Sequence, residues 1–153
     1  DPHCEAYGTI DEAVAAIGLA RSLSRKQEIQ RILLAVQEDL FILSGELATP
    51  PEAYERLTRK YPVINDGDVQ RLEGLINDLE RTVKVPDKFV IPGDSPASAA
   101  MHLARAIVRR AERRVVGLQR DGQVPNQEVL RYLNRLADLL FTLTLCEETG
   151  PSK

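Results

Sequence analysis

The chain has 153 residues, 43% of them hydrophobic and 28% charged, with a net charge of −3 and a pI near 5.5. That length supports one domain with a continuous core and no need of disulfides or a structural metal. No apolar run reaches the roughly 20 residues that span a bilayer, and mild acidity argues against a surface built to neutralise nucleic-acid phosphates.

The chain opens at Asp1 without an initiator Met and without the basic and apolar regions of a signal peptide, so it reads as trimmed rather than secreted. Apolar residues recur at helical spacing along most of the sequence, and period-two alternation is scarce, which sets the class as all-α. A first helix is expected from about Glu5 to Ser22, with Ala6, Ile10, Ala13, Val14 and Ile17 as its stripe. Ser24 offers an N-cap for a second helix carrying Ile29, Ile32, Leu33, Val36, Leu40 and Leu43, which ends between Gly45 and Pro50. Thr49 to Gly67 holds three prolines and reads as a connection with a helical turn around Glu52 to Arg59. A third helix follows, capped by Asp66 or Asp68 and carrying Val69, Leu72, Ile76 and Leu79.

Lys84 to Pro96 has three prolines and a glycine, which exclude a regular helix and leave Phe89 in a loop. Ser95 and Pro96 form an N-cap and N1 pair that opens a long helix to about Gln119, with Ala104, Val108, Ala111, Val115 and Leu118 inward. Gly122 and Pro125 break it, and a last helix is expected from about Asn126 to Glu148, with Leu130, Leu133, Ala137, Leu140 and Thr144 as its stripe. Five helices with wide apolar stripes predict an antiparallel up-down five-helix bundle with a core like that of a four-helix bundle, spanning residues 1–153 as one domain.

Three clusters stand out against this scaffold. Arg105, Arg109, Glu112 and Arg113 fall at i, i+4, i+7 and i+8, so they share one helix face beside the apolar stripe. Guanidinium forks grip phosphate or carboxylate oxygens bidentately; the plainer alternative is a solvated face in which Glu112 pairs with its own arginines. Asn134 and Asp138 lie four apart amid leucines, and Asn134 either makes an interhelical hydrogen bond or holds a ligand's polar group. Glu5 suits the opening turn of the first helix, whereas Asp11 lies further in and is a candidate partner for an arginine across a helix or subunit interface. Cys4 and Cys146 lie at opposite ends without CxxC spacing and read as free thiols in a reducing compartment. Tyr7, Tyr132 and Phe141 read as core and His102 as structural.

The segments EAYGTIDE, FVIPGDSPASAAMHLARAIVRRAER and NRLADLLF closely resemble three signature blocks of the ATP:cob(I)alamin adenosyltransferases of the trimeric five-helix-bundle type, in order and across nearly the whole chain. The resemblance implies transfer of the 5′-deoxyadenosyl group of ATP to the cobalt(I) of a reduced corrinoid, with release of triphosphate. It implies Mg²⁺ alongside the substrates ATP and cob(I)alamin, a homotrimer with active sites at subunit interfaces, and no metal held by the protein itself. By position, Arg109, Arg110, Glu112, Arg113 and Asn134 match the ATP contacts. Asp11 and Arg105 match an inter-subunit salt bridge, and Phe89 matches the aromatic that displaces the corrinoid's lower ligand. It further implies a cytoplasmic location, or the mitochondrial matrix for a eukaryotic source, and a corrinoid-dependent mutase as a candidate recipient of the product.

Family members carry a Gly- and Thr-rich segment with a lysine that would lie just before Asp1, and it does not occur in this sequence. Asp94 stands in place of a second glycine, Ala13 and Val14 in place of leucine and asparagine, and Ala137 in place of serine; these departures bear on corrinoid preference and rate more than on fold. A ferritin-like site would need Glu-x-x-His, but position 99 is Ala99. A nucleic-acid-binding helix would have to overcome an acidic remainder. A non-catalytic carrier or sensor of ATP or adenosylcobalamin remains the open alternative.

Overall fold

The computed structural model describes residues 1–149. Its helices are α1 (Pro2–Leu23), α2 (Gln27–Leu47), α3 (Tyr54–Lys60), α4 (Asp66–Glu80), α5 (Pro96–Arg120) and α6 (Glu128–Glu148), with a 3₁₀ turn at Pro51–Ala53 and no strand among the described residues. Five are long, as the periodicity predicts, and the expected turn at 52–59 is realised as α3.

Several boundaries shift for local reasons. Helix α1 starts at Pro2 rather than Glu5, because the Asp1 carboxylate accepts from the His3 N–H and Pro2 occupies the first turn. Ser24 is extended and ends α1 instead of capping α2; its hydroxyl donates to Glu147 at 2.6 Å. The cap of α4 is Asn65, one residue before the expected aspartates, and it forms a reciprocal capping box with Asp68. Ser95 caps α5 as predicted. After α5, Gly122 takes φ +73°, a left-handed conformation that suits glycine past a helix end. Asn126 stays out of α6 because its side chain bonds Glu46, Ile64 and Glu128 instead.

Cross-links between helices fix their directions. His3 to the Leu47 carbonyl and Gln37 to the Val14 carbonyl set α1 against α2. Asn134 with Glu112 and Ser95 with Glu148 set α5 against α6. Arg131 with Asp66 at the start of both helices leaves α4 parallel to α6. The long helices therefore alternate up and down in chain order. Helix α5 lies between α1 and α6, and its contact with α1 is the most extensive in the bundle. That seam is lined by Ala6, Ala13, Ala16 and Ala20 on α1 and by Ala97, Ala100, Ala104 and Ala111 on α5, all buried, and small side chains let helix axes approach closely.

The predicted stripes are buried, with Val14 and Leu130 packed at the edge of the core. Each large aliphatic removed from water contributes about 1.5–3 kcal/mol. Two acids on α2 are buried with their partners. Asp39 accepts from the Tyr132 hydroxyl at 2.7 Å and from Arg71, and Glu46 accepts from Tyr54, Asn126 and the Ile64 N–H at 2.7–2.9 Å. Burial and the Glu46 carboxylate push the Tyr54 phenol well above its usual range. Tyr132 is core, as read from the sequence, yet its hydroxyl has a polar duty as well. Cys4 is exposed and Cys146 buried, both as free thiols.

Candidate functional site

Because α5 is flanked on both sides, its residues sort by direction. Ala104, Val108, Ala111 and Val115 face the core with no exposure. Toward α1, Arg110 pairs with Glu12, and Arg114 pairs with Glu5 at 3.1 Å. Toward α6, Arg105 lies over the Phe141 ring, its Cζ 5.3 Å from the centroid, and Glu112 accepts from Asn134 Nδ2 at 2.9 Å. On the remaining face, Arg109 and Arg113 are exposed, and among the described residues neither enters an ion pair or a side-chain hydrogen bond. The row from Arg105 to Arg113 covers ~12 Å of helix at 1.5 Å per residue.

Beside this row lies an open cleft of about 860 Å³, walled on one side by Arg105, Arg109, His102 and Phe141 and on the other by Phe89 and its neighbours in the 81–95 loop. Phe89 is fully exposed, so it does not plug the end of the bundle. A second hollow of about 300 Å³ lies beside Glu112 and Asn134, where α4 and α6 supply most of the lining. Arg105, Arg109 and Phe89 thus line the cleft, and Glu112 and Asn134 the hollow. Along α5 itself Arg105, Arg109 and Arg113 outnumber Glu112, which gives this surface of the helix a net positive charge on a chain that is acidic overall.

Two expected site residues sit apart from that surface. Arg110 is turned to Glu12 rather than toward Arg109, because one residue along a helix is a 100° rotation that carries it onto the α1 side. Asp11 is exposed on α1 and makes no ion pair among the described residues. The two α1–α5 ion pairs, Arg110 with Glu12 and Arg114 with Glu5, place Asp11 opposite residues 108–111, about 5–9 Å along the axis from Arg105. The two do not meet within one protomer.

Phe141 corrects its assignment to the core. It is half-buried in the cleft wall, with Arg105 over its face and the His102 ring edge-on at 6.3 Å and 70°. Burial, and next the charge of Arg105, hold the His102 imidazole below its ordinary value, so it is neutral at pH 7. Arg135, which bridges Asn134 and Asp138, was also missed. The signal that finds Phe141 is register: once 112 lies opposite 134 on antiparallel helices, 105 falls opposite 141.

The chain matches the family Cobalamin adenosyltransferase over residues 1–147. It is 38% identical over 151 residues to a corrinoid adenosyltransferase of Citrobacter freundii, covering 99% of this chain and 84% of that protein. It is 36% identical over 145 residues to the human corrinoid adenosyltransferase MMAB, covering 91% of this chain and 56% of that longer protein. Among solved structures, an arginine-to-lysine variant of the PduO-type ATP:corrinoid adenosyltransferase from Lactobacillus reuteri, complexed with ATP, superposes with a TM-score of 0.84 at 33% identity, over 95% of this chain and 81% of that one. A phenylalanine-to-alanine variant from the same organism, complexed with cobalamin and ATP, gives a TM-score of 0.83 at 36% identity, over 95% and 79%.

Proposed function

The chain belongs to the cobalamin adenosyltransferase family, and on that premise we propose that its cleft brings ATP and a reduced corrinoid together for transfer of the 5′-deoxyadenosyl group to cobalt. The observation that carries the site assignment is that Arg109, on the wall of a cleft that Phe89 and Phe141 also line, and Arg113, one turn further along α5, are exposed and enter no ion pair among the described residues. Cationic forks suit a polyphosphate, and an aromatic rim suits the face of a macrocycle.

The chemistry asks little of the side chains in bond-making. Cobalt(I) is itself the nucleophile: its electron pair forms the bond to the 5′ carbon, the carbon–oxygen bond breaks, and the triphosphate leaves with that bond's electrons. Neither an activated serine nor a general base is needed. The protein's share is to align carbon and cobalt and to stabilise the departing charge. Arg109 and Arg113 take the phosphates, while Asn134, held by Glu112, presents an amide to the nucleotide. Phe89, on the opposite wall, excludes water and a lower axial ligand from the cobalt.

Arg105 and Asp11 fit an ion pair between copies, since a single protomer keeps them apart. On this reading ATP lies at the interfaces of a homotrimer, as the family resemblance implies. Mg²⁺ enters as the counter-ion of ATP, with Glu112 as a carboxylate the site can add. No helix of the described residues is long and apolar enough to cross a membrane. The family resemblance implies the cytoplasm or a mitochondrial matrix as the compartment and a corrinoid-dependent mutase as recipient.

Anaerobic single-turnover mixing of the protein and ATP with cob(I)alamin tests the reading. Stoichiometric cobalt–carbon bond formation with release of intact triphosphate is expected. Tight binding of both substrates without bond formation would identify a carrier instead.

A further inference from the structure

Helices α1 and α5 are joined by two ion pairs, Arg110 with Glu12 and Arg114 with Glu5. All four side chains remain at least a third exposed, so the pairs add little to global stability. Of the buried apolar residues of α1 and α5, eight are alanines, beside Ile10, Ile17, Met101, Val108, Val115 and Leu118, so larger knobs that could fix how α1 is rotated against α5 are in the minority. Two cross-links, at residues seven apart on α1 and four apart on α5, supply that constraint. Both arginines also bury Nε without a partner, so their stems are packed against the protein instead of extended over the outer face. Asp11, adjacent to Glu12, is left exposed.

We propose that Glu12 and Arg110 are positioning residues: their pair fixes the rotation of α1 so that Asp11 is presented to Arg105 of the neighbouring copy, and Arg110 itself does not contact ATP. The inference rests on the reading of Asp11 with Arg105 as an interfacial pair. It assigns Glu12 a role that follows from neither the cleft nor the arginine row, and it explains how an arginine next to Arg109 serves the reaction from the opposite side of the helix.

A set of variants separates this from direct nucleotide contact. Kinetics with ATP are measured for Glu12→Gln, Arg110→Gln, the double variant and the exchanged pair Glu12→Arg with Arg110→Glu. Glu12→Gln is repeated with Asp11→Asn. Each single change is expected to lower kcat/KM about ten-fold, the double no further, and the exchanged pair to recover to within about three-fold of wild type, as coupled sites behave. With Asp11→Asn present, Glu12→Gln is expected to cost nothing more. Glu12→Gln at wild-type activity while Arg110→Gln raises the KM for ATP would overturn the inference in favour of direct contact. An equal cost of Glu12→Gln with and without the Asp11 carboxylate would overturn it in favour of a general structural role. Full activity and an undisturbed assembly in Asp11→Asn alone would instead remove the interfacial reading itself.

Discussion

Arg109 and Glu112 illustrate how much a single position on α5 decides. Three residues apart, one points to open space without a partner and the other is engaged by Asn134 at 2.9 Å. The account predicts that Arg109→Ala lowers kcat/KM for ATP by about 100-fold, a loss of ~2.7 kcal/mol in transition-state stabilisation at 1.36 kcal/mol per decade. Circular dichroism should be unchanged, because the side chain supports nothing else. Arg109→Lys should recover only part of the loss, since a lysine keeps the charge and forfeits the fork.

His102 gives a pH test at the same scale. Its folded value is depressed, first by burial and then by Arg105, so the unfolded chain binds the proton more readily. The stabilising contribution is therefore present above the unperturbed histidine value near 6.5 and declines as pH falls through it. Titration of the ring protons by NMR should place His102 below that value, and Arg105→Gln should move it upward. A His102 midpoint unaffected by Arg105→Gln would contradict the stacked arrangement with Phe141.

At the scale of elements, periodicity made the five long helices legible, because a buried stripe at spacings of three and four leaves few alternatives. The helix starts were less so, since Asp1 and Asn65 compete with neighbouring residues that cap equally well in isolation. Polar groups inside the bundle were not legible at all. Nothing in the spacing along α2 sets Asp39 and Glu46 apart from its other acids, and the approach of α4 and α6 supplies Arg71, Tyr132 and Asn126 as partners. Their importance is testable: Asp39→Ala strands the Tyr132 hydroxyl and Arg71 and should cost about 3 kcal/mol in urea denaturation, as breaking a buried charge network does. The 81–95 loop makes the opposite prediction. Phe89 is fully exposed, so Phe89→Ala should leave the melting midpoint within about 2 °C of wild type while slowing cobalt–carbon bond formation in single-turnover mixing.

Across the whole molecule, spacing put the arginine row on one helix face and left anion binding and a solvated face both open, and the three sequence blocks tied the chain to a family. What spacing did not disclose was the partition of that row. Arg110 belongs to the α1 seam and Arg105 to the α6 seam, and that division depends on which helices flank α5. Nor did sequence locate Asp11 relative to Arg105, since their offset along the helix axes follows from how α1 and α5 pair. The protomer supplies one cationic cleft wall and, on a separate helix, an exposed acid, Asp11, that makes no ion pair among the described residues, and the proposed pairing of Asp11 with Arg105 of a second copy joins the two.

A crystal structure of the protein with ATP addresses the central claim most directly. The account predicts the triphosphate against Arg109 and Arg113, with Asp11 of an adjacent copy paired to Arg105 and Asn134 within hydrogen-bonding reach of the nucleotide. Phosphates bound elsewhere, with the α5 arginines facing bulk water in every copy, would contradict it.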